Sequence, residues 1–137
     1  MNDGMFETGT AVTVRAFHVM PGLPPPEGER HSHDYRLDVV VRRSDLDAQG
    51  MVVDLDVLTQ ALKDVASRLD GADLDDVVGK YLGGDAVTVE LLSRWVHGRL
   101  APQIGQIDGG SLAVRVWESP VAFGGYEAPL PAVVSSS

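Results

Sequence analysis

The 137-residue sequence contains no cysteine and is poor in basic residues. The absence of cysteine excludes disulfide bonds, a thiolate nucleophile and a zinc site with cysteine ligands. Eleven lysines and arginines stand against twenty acidic residues, which gives a formal net charge of −9. A protein of this charge is repelled by phosphate backbones, and its largest basic cluster is Arg42 with Arg43. We therefore expect no nucleic-acid partner.

Long apolar runs are also missing. No segment approaches the roughly 20 apolar residues that a membrane helix requires. The N-terminus, Met1–Gly4, lacks the basic segment and apolar core of a secretory signal. We therefore expect a cytoplasmic protein with no membrane partner. The length suits one domain, residues 1–137, with an ordered core at about 10–127 and flexible ends at 1–8 and 129–137.

The alternation of apolar and polar residues predicts two strands in the first third of the sequence. The first covers Ala11–Met20, where the even-numbered side chains form a mostly apolar face. The second covers His31–Arg43, where odd-numbered residues are mostly apolar and even-numbered residues are mostly charged. Such alternation is typical of strands with one buried face. A proline-rich loop, residues 21–30, separates the two strands because proline lacks the backbone donor that a ladder needs.

Two helices are predicted in the middle of the sequence. Apolar residues recur at spacings of three and four over Leu55–Leu69, with Asp54 as a capping residue and Gly71 as the stop. A second helix is expected to begin near Thr88 and to end at Pro102, because proline interrupts helices. The stretch between them, 73–85, is ambiguous.

The C-terminal part of the sequence predicts two further strands. Gly109 and Gly110 introduce a third strand, whose even-numbered face ends at Glu118, and a fourth strand is expected at Val121–Tyr126. The order strand–strand–helix–helix–strand–strand is typical of the α+β class. We predict a four-stranded antiparallel sheet with two helices on one face.

Three histidines occupy matching positions on the first two strands. His31 and His33 are two residues apart and therefore point to the same side of their strand. If the two strands pair as a hairpin, His18 reaches that face from the neighbouring strand. Three imidazoles placed in this way form a zinc site with one position left for water or substrate. Histidines that are merely exposed or hydrogen-bonded show the same pattern, and the fourth, His97, is interpreted in that way.

A carboxylate ends the predicted buried face of the third strand. Glu118 is costly at such a position unless a partner compensates its charge. One interpretation is a ligand anchor, because a carboxylate accepts two parallel hydrogen bonds from a guanidine-like group. The alternative is a solvated residue at a strand end.

A longer set of residues, in this order and spacing, resembles the pattern of one known family. That family is the 6-pyruvoyl-tetrahydropterin synthase and 6-carboxy-tetrahydropterin synthase family, and the similarity extends from about residue 10 to 127. The set comprises Phe17-His18, His31-Ser32-His33-Asp34-Tyr35, Gly50-Met51-Val52-Val53-Asp54, Leu69-Asp70, Thr88, Glu90, Trp117-Glu118-Ser119 and Tyr126.

The resemblance implies a tunnelling fold, in which each subunit contributes a four-stranded sheet backed by two helices. Three subunits close a twelve-stranded barrel, and two such rings stack into a hexamer. Strand parity agrees with this arrangement, because Arg15, Arg36 and Arg115 fall on the face turned away from the helices, where a polar tunnel would lie. Closing the sheet between subunits would also remove its exposed edges.

The resemblance also implies roles for individual residues. The three clustered histidines match the family's zinc ligands. Glu118 matches the carboxylate that binds the amino-pyrimidinone edge of a pterin, while Thr88 and Glu90 match a segment near the same pocket. Asp70 matches the aspartate of the catalytic Asp–His pair.

Two catalytic positions of the family differ in this sequence. Glu27 stands where the family has its catalytic cysteine, and Gly71 stands where it has its catalytic histidine. Ser32 also replaces the usual glycine between the paired histidines. A carboxylate beside a metal can act as a base, so we expect Glu27 and Asp70 to carry the acid–base chemistry. Glu29 is an alternative base, and both loop glutamates could instead be solvated.

These expectations combine into one predicted function with two alternatives. The resemblance implies a zinc-dependent lyase acting on dihydroneopterin triphosphate or a related pterin, with cleavage of a C–C or C–O bond in the substituent of the pterin ring. The loss of the family's cysteine and histidine favours, as an alternative, a lyase, aldolase or cyclase recruited to a non-pterin substrate. A second alternative is a non-catalytic protein that binds a pterin or purine.

Overall fold

The computed structural model describes residues 4–79 and 86–131. These residues form four strands, two long helices and one π-helical turn. The elements are β1 (Phe6–His18), β2 (His31–Arg43), α1 (Leu55–Leu69), the π turn (Asp75–Gly79), α2 (Val89–Ile104), β3 (Ser111–Ser119) and β4 (Ala122–Pro129).

The four strands form one antiparallel sheet in the order β1-β2-β3-β4. Helix α1 packs on β1, and α2 packs on β3 and β4, so the helices cover one face of the sheet. Apolar burial between these two layers supplies the main stabilising free energy. The predicted α+β architecture is confirmed. The fully buried core includes Leu37, Val39, Leu58, Leu62, Leu69, Leu92, Leu100, Leu112 and Val116.

The strand faces follow the predicted parity. In β2 the odd-numbered residues from Tyr35 to Val41 are buried. The register places Val14 of β1 opposite Tyr35, which continues the same buried surface. Arg15, Arg36 and Arg115 are exposed on the other face, as the sequence predicts.

Helix α1 begins and ends at the predicted residues because polar groups satisfy its free backbone ends. The Asp54 carboxylate accepts a hydrogen bond from Asp56 N at 2.9 Å, which is the geometry of an N-cap. Gly71 follows the helix with a φ of 75°, a left-handed conformation that favours glycine. Its N–H donates to Arg15 O at 2.6 Å and so fastens the helix end to β1.

Several predicted boundaries are wrong. Strand β1 begins at Phe6 rather than Ala11, because the register pairs Phe6 with Arg43 at the far end of β2. Residues 6–8, which were predicted to belong to a flexible end, are therefore part of this strand. The sequence also placed the end of the first strand at Met20, whereas β1 ends at His18 and the following N–H of Met20 bonds to the carbonyl of Glu27 in the loop.

The second helix and the fourth strand also run further than expected. Pro102 lies inside α2, which continues to Ile104, and both Ala101 and Ile104 pack against the core. This packing compensates for the backbone hydrogen bond that the last turn of α2 loses because Pro102 has no N–H. Strand β4 extends to Pro129 because it pairs with Ser111 of β3.

The ambiguous stretch between the helices is only partly described. Its first part forms the π turn, and Asp73 makes an isolated parallel bridge with Phe17. The rest of that stretch, 80–85, lies outside the described residues, as do 1–3 and 132–137 of the predicted flexible ends. Among the helices described here, none has the length and apolar character needed to span a bilayer.

Candidate metal centre and adjoining cleft

The hairpin of β1 and β2 brings three histidines together at one end of the sheet. The register places His18 directly opposite His31, and His33 lies opposite Ala16 on the same face. The ring centroid of His18 is 4.4 Å from that of His31 and 5.2 Å from that of His33, and the latter two are 4.9 Å apart. One ring nitrogen from each residue lies within 4.8 Å of the others. We call these three residues the His cluster.

Backbone carbonyls orient two of these rings. His18 Nδ1–H donates to Val87 O at 3.3 Å, and His31 Nδ1–H donates to Glu29 O at 2.7 Å. Each hydrogen bond selects the tautomer whose Nε2 carries a lone pair, which is the usual arrangement around a metal-bound imidazole. His18 Nε2 is buried and has no hydrogen-bond partner among the described residues. A buried orphan nitrogen beside two further imidazoles fits a metal ion with nitrogen ligands.

The surroundings of His18 favour its neutral form. Burial lowers its pKa below the ordinary value, and the positive charges that His31 and His33 carry when protonated lower it further. The hydrogen bond to Val87 and the nearby Asp75 carboxylate act in the opposite direction. Because a metal binds the unprotonated ring, the net shift favours a ligand over a proton at this position.

Tyr35 forms the inner wall of the His cluster. Its ring lies edge-on to His33 at 5.4 Å and to His18 at 6.2 Å, and its side chain is buried. Burial raises the pKa of its hydroxyl, with smaller contributions from Glu118 and Asp75. The phenol is therefore protonated at neutral pH. Sequence reasoning placed Tyr35 on the buried face without assigning it a role, although its spacing of two from His33 is visible.

Asp75 of the π turn is a second residue that sequence reasoning missed. Its Oδ2 accepts a hydrogen bond from Val19 N at 3.2 Å, immediately after His18. Its own N–H donates to Asp73 Oδ1 at 3.1 Å. The bond from Val19 connects the π turn to the end of β1. It holds the Asp75 carboxylate close to the His cluster. No periodic signal in the sequence points to this position, which depends on contacts between distant segments.

A cleft of about 830 Å³ adjoins the His cluster. The pairing of β2 with β3 stops at Arg36 and Trp117, so the first five residues of β2 have no paired residue on β3. His33 and Glu118 both line the space left there, and Glu118 is exposed to solvent. The predicted ligand anchor and one of the predicted metal ligands, His33, therefore line the same cleft.

Thr88 and Glu90 lie at the start of α2. Thr88 Oγ1 accepts a hydrogen bond from Leu91 N at 3.2 Å, so this residue caps the helix. Glu90 is exposed and approaches β4, where a Cβ built on Gly124 would lie 2.5 Å from Glu90 Oε1. Neither residue lines the described part of the cleft.

The candidate acid–base residues occupy two separate places. Asp70 Oδ1 accepts a hydrogen bond from Arg15 N at 3.0 Å, and Asp70 does not line the described part of the cleft. Glu27 and Glu29 belong to the loop that leads to β2. Both backbone carbonyls accept hydrogen bonds from the strands, because Glu27 O accepts from Met20 N at 2.8 Å and Glu29 O accepts from the first histidine of β2.

A four-stranded antiparallel sheet backed by two helices, with a three-histidine candidate metal centre at one end, defines a tunnelling-fold protein. The family model described as 6-pyruvoyl tetrahydropterin synthase matches residues 10–129. The chain belongs to this family.

Solved structures show the same fold at low sequence identity. Caenorhabditis elegans 6-pyruvoyl tetrahydropterin synthase is 19% identical, with a TM-score of 0.71 and coverage of 93% of this chain and 99% of that chain. A Plasmodium vivax 6-pyruvoyltetrahydropterin synthase in which a catalytic glutamate is replaced by alanine is 13% identical, with the same TM-score and coverage. An uncharacterized protein from Wolinella succinogenes is 14% identical at a TM-score of 0.66, again with 93% and 99% coverage. No curated protein sequence matches this one significantly.

Proposed function

We propose that this protein is a zinc-dependent lyase that acts on a pterin. The observation that carries the proposal is the His cluster, in which one nitrogen of each ring lies within 4.8 Å of the others. The buried Nε2 of His18 has no hydrogen-bond partner in the part of the chain that the structure describes. His18, His31 and His33 would hold the ion. Bound there, zinc would supply a Lewis acid that polarises a substrate oxygen and makes neighbouring protons easier to remove.

Glu118 is the proposed anchor for the pterin ring. Its carboxylate is exposed in the same cleft as His33 and can accept two parallel N–H bonds from an amino-pyrimidinone edge. A planar ring held at this end of β3 would direct its substituent toward the His cluster. The anchor thus sets which bond of the substrate lies at the metal.

Glu27 is the proposed catalytic base, with Asp70 as the second carboxylate. The hydrogen bond from Met20 N to the carbonyl of Glu27 holds this part of the loop near the end of β1. The Plasmodium vivax relative also has a catalytic glutamate, which supports a carboxylate as the proton-transfer group in this fold. One oxygen of Asp70 is engaged by Arg15 N, which leaves its second oxygen to accept a proton.

The assembly proposed is a hexamer of two stacked three-subunit rings. The outer edges of β1 and β4 have no partner strand within the described residues, and such edges are favourable only when another strand or a covering segment pairs with them. Glu90 lies beside β4. Together with Thr88, the capping residue of the same helix, it would border the pterin pocket at the rim where the next subunit joins. A cytoplasmic location is proposed for the assembled enzyme.

A recruited lyase, aldolase or cyclase acting on a non-pterin substrate is the second candidate. The observation that favours it is the pair of substitutions at the family's catalytic positions, Glu27 and Gly71. The fold and the His cluster would be kept, while the proton-transfer groups and the substrate would differ.

The deciding experiment measures metal content and turnover on the same preparation. Elemental analysis of untagged protein is expected to find about one zinc per subunit. Mass spectrometry is expected to show a cleaved substituent after incubation with dihydroneopterin, its triphosphate and related pterins. Bound zinc without turnover of any pterin would favour the recruited enzyme. A bound pterin without zinc would favour a non-catalytic binding protein and would overturn the proposal.

A further inference from the structure

The segment 71–75, which connects α1 with the π turn, lies along the outer edge of β1 beside the His cluster. Phe17 N–H donates to Ala72 O at 2.9 Å. Two residues further along the strand direction, Val19 N–H donates to Asp75 Oδ2 at 3.2 Å. The backbone on both sides of the buried histidine of β1 is therefore bonded to this one segment.

Asp73 connects the same segment to the residue that precedes His31. Asp73 Oδ2 accepts a hydrogen bond from Arg30 Nε at 3.4 Å, while its Oδ1 accepts from Asp75 N at 3.1 Å. The Arg30 guanidinium also lies over the Phe17 ring, with Cζ 4.0 Å from the ring centroid. An ion pair and a cation–π contact thus hold the last residue of the loop against the end of β1.

These contacts act on the backbone and on Arg30 rather than on an ion. Neither Asp73 nor Asp75 belongs to the group of described side chains that could hold a metal. The side chains of Arg30 and Asp73 are 55% and 30% exposed, and ion pairs as exposed as this contribute little to global stability. We therefore expect the two carboxylates to affect the placement of the neighbouring histidines more than the free energy of unfolding.

We infer that Asp73 and Asp75 are positioning residues of the His cluster. They hold the strand ends that carry His18 and His31, so that the rings converge before an ion binds. The inference rests on the proposed function, because it names what keeps the proposed ligands in place, and it deepens that function. Ligands that are already ordered bind an ion more tightly, since less conformational freedom is lost on binding.

NMR of the imidazole nitrogens in the metal-free, full-length protein tests the inference without any ion. At mildly alkaline pH, where imidazoles are neutral, His18 and His31 are each expected to show one tautomer with the proton on Nδ1. Asp75→Ala is expected to give averaged tautomers for His18. Asp73→Ala and the milder Arg30→Ala are expected to do so for His31. Unchanged ring signals in all three variants would overturn the inference.

Zinc affinity, measured by competition with a fluorescent chelator, tests the same inference through the ion. Asp75→Ala is expected to weaken zinc binding about tenfold or more, which is typical for the loss of an outer contact of a metal ligand. Asp75→Asn is expected to keep most of the wild-type affinity, because its amide oxygen still accepts the Val19 N–H. An equal loss in Asp75→Asn would assign the effect to charge and would overturn the positioning role.

Asp76→Ala is the matched control, because Asp76 is exposed in the same π turn and takes no part in the contacts described above. Chemical denaturation checks that every variant is folded. If Asp76→Ala weakens zinc binding as much as Asp75→Ala does, the effect belongs to net charge or to the turn as a whole, and the inference is wrong. If the wild-type protein binds no zinc, the proposed function fails, and the tautomers in the NMR experiment decide the inference by themselves.

Discussion

In two residues of the His cluster, a hydrogen bond to one backbone carbonyl determines which ring nitrogen is available to bind a ligand. Val87 O and Glu29 O accept the Nδ1 protons of His18 and His31, which leaves the Nε2 atoms unprotonated. Such outer contacts raise the basicity of a ligand and fix its orientation. Metal binding by the His cluster would therefore depend on how these rings are oriented as well as on the presence of histidine.

His31→Ala is expected to abolish zinc binding, because two imidazoles cannot complete a tetrahedral site with one exchangeable position. Elemental analysis of the purified variant, together with circular dichroism to confirm folding, measures the effect. His97→Ala is the matched control, since His97 bonds to Ala128 O on β4 and is not a member of the His cluster. Full zinc content in His31→Ala would show that the ligands are misassigned.

Glu118→Gln is expected to weaken neopterin binding about tenfold or more, because a neutral amide replaces a charge-assisted pair of hydrogen bonds. Zinc content should not change. Glu127→Gln, at an exposed position of β4, removes the same charge outside the cleft and serves as the control. Unchanged affinity in Glu118→Gln would mean that the pterin is not held by this carboxylate.

Glu27→Gln is expected to lower turnover at least about 100-fold while zinc content and pterin affinity persist, since a positioned base contributes rate enhancement of this order. Steady-state kinetics on the best pterin substrate measures the effect. Glu29→Gln, two residues further along the same loop, is the matched comparison. If Glu29→Gln is the inactive variant instead, the base is Glu29.

At the scale of elements, unequal strand lengths create the cleft. Strand β2 has 13 residues and β3 has 9, and the His-bearing end of β2 has no paired residues on β3. A register shift between Trp117 and Ser119 interrupts the β3–β4 ladder at the same end. A β-bulge or similar register shift changes the direction in which the neighbouring side chains point. Glu118 lies at this shift, which explains why a residue on the buried face of the strand is exposed.

Asp54→Ala is expected to lower the free energy of unfolding by about 1 kcal/mol, because α1 loses the side-chain acceptor of its first turn. Chemical denaturation monitored by circular dichroism measures the change. Asp56→Ala removes a neighbouring carboxylate that only favours the helix dipole, so it should cost about 0.3 kcal/mol. Equal effects of the two variants would argue against the capping role.

At the scale of the whole molecule, the described residues leave one polar face of the sheet uncovered and provide no partner strand at its two edges, although residues 70–73 cover the part of β1 near His18. Polar groups such as Arg15 and Arg115 occupy that face, and aromatic residues such as Phe123 are exposed beside them. Within one copy β1 and β4 lie at opposite edges of the sheet and do not pair with each other. In the proposed assembly, closure into a ring of copies would pair both edges at once.

Sedimentation equilibrium is expected to give a hexamer of about 88 kDa, six times the subunit mass of 14.6 kDa, because ring closure pairs every free edge. A ring of three copies would instead sediment at about 44 kDa, which would support closure of the barrel without stacking. A monomer at micromolar concentration would contradict the proposed assembly.

Much of the fold and the His cluster could be predicted from the sequence, because the relevant signals are periodic and local. Side chains alternate along a strand, so the spacing of two between His31 and His33 is enough to place both on one face. The capping role of Asp54 likewise depends on its immediate neighbours. Contacts across long separations could not be predicted. The positions of Val87 and Asp75 beside His18 depend on how distant segments pack.

The sequence by itself determined the α+β architecture, the face of each strand and the convergence of three histidines, since these follow from alternation and helical spacing. The partners and surroundings of the candidate carboxylates were decided by the tertiary structure alone. It engaged Asp70 with Arg15 N, paired Arg36 with Asp38 and opened the cleft beside Glu118. The ion pairs and the unpaired end of β2 depend on the register between strands and on which distant segments come into contact. No local sequence pattern encodes that register or those contacts.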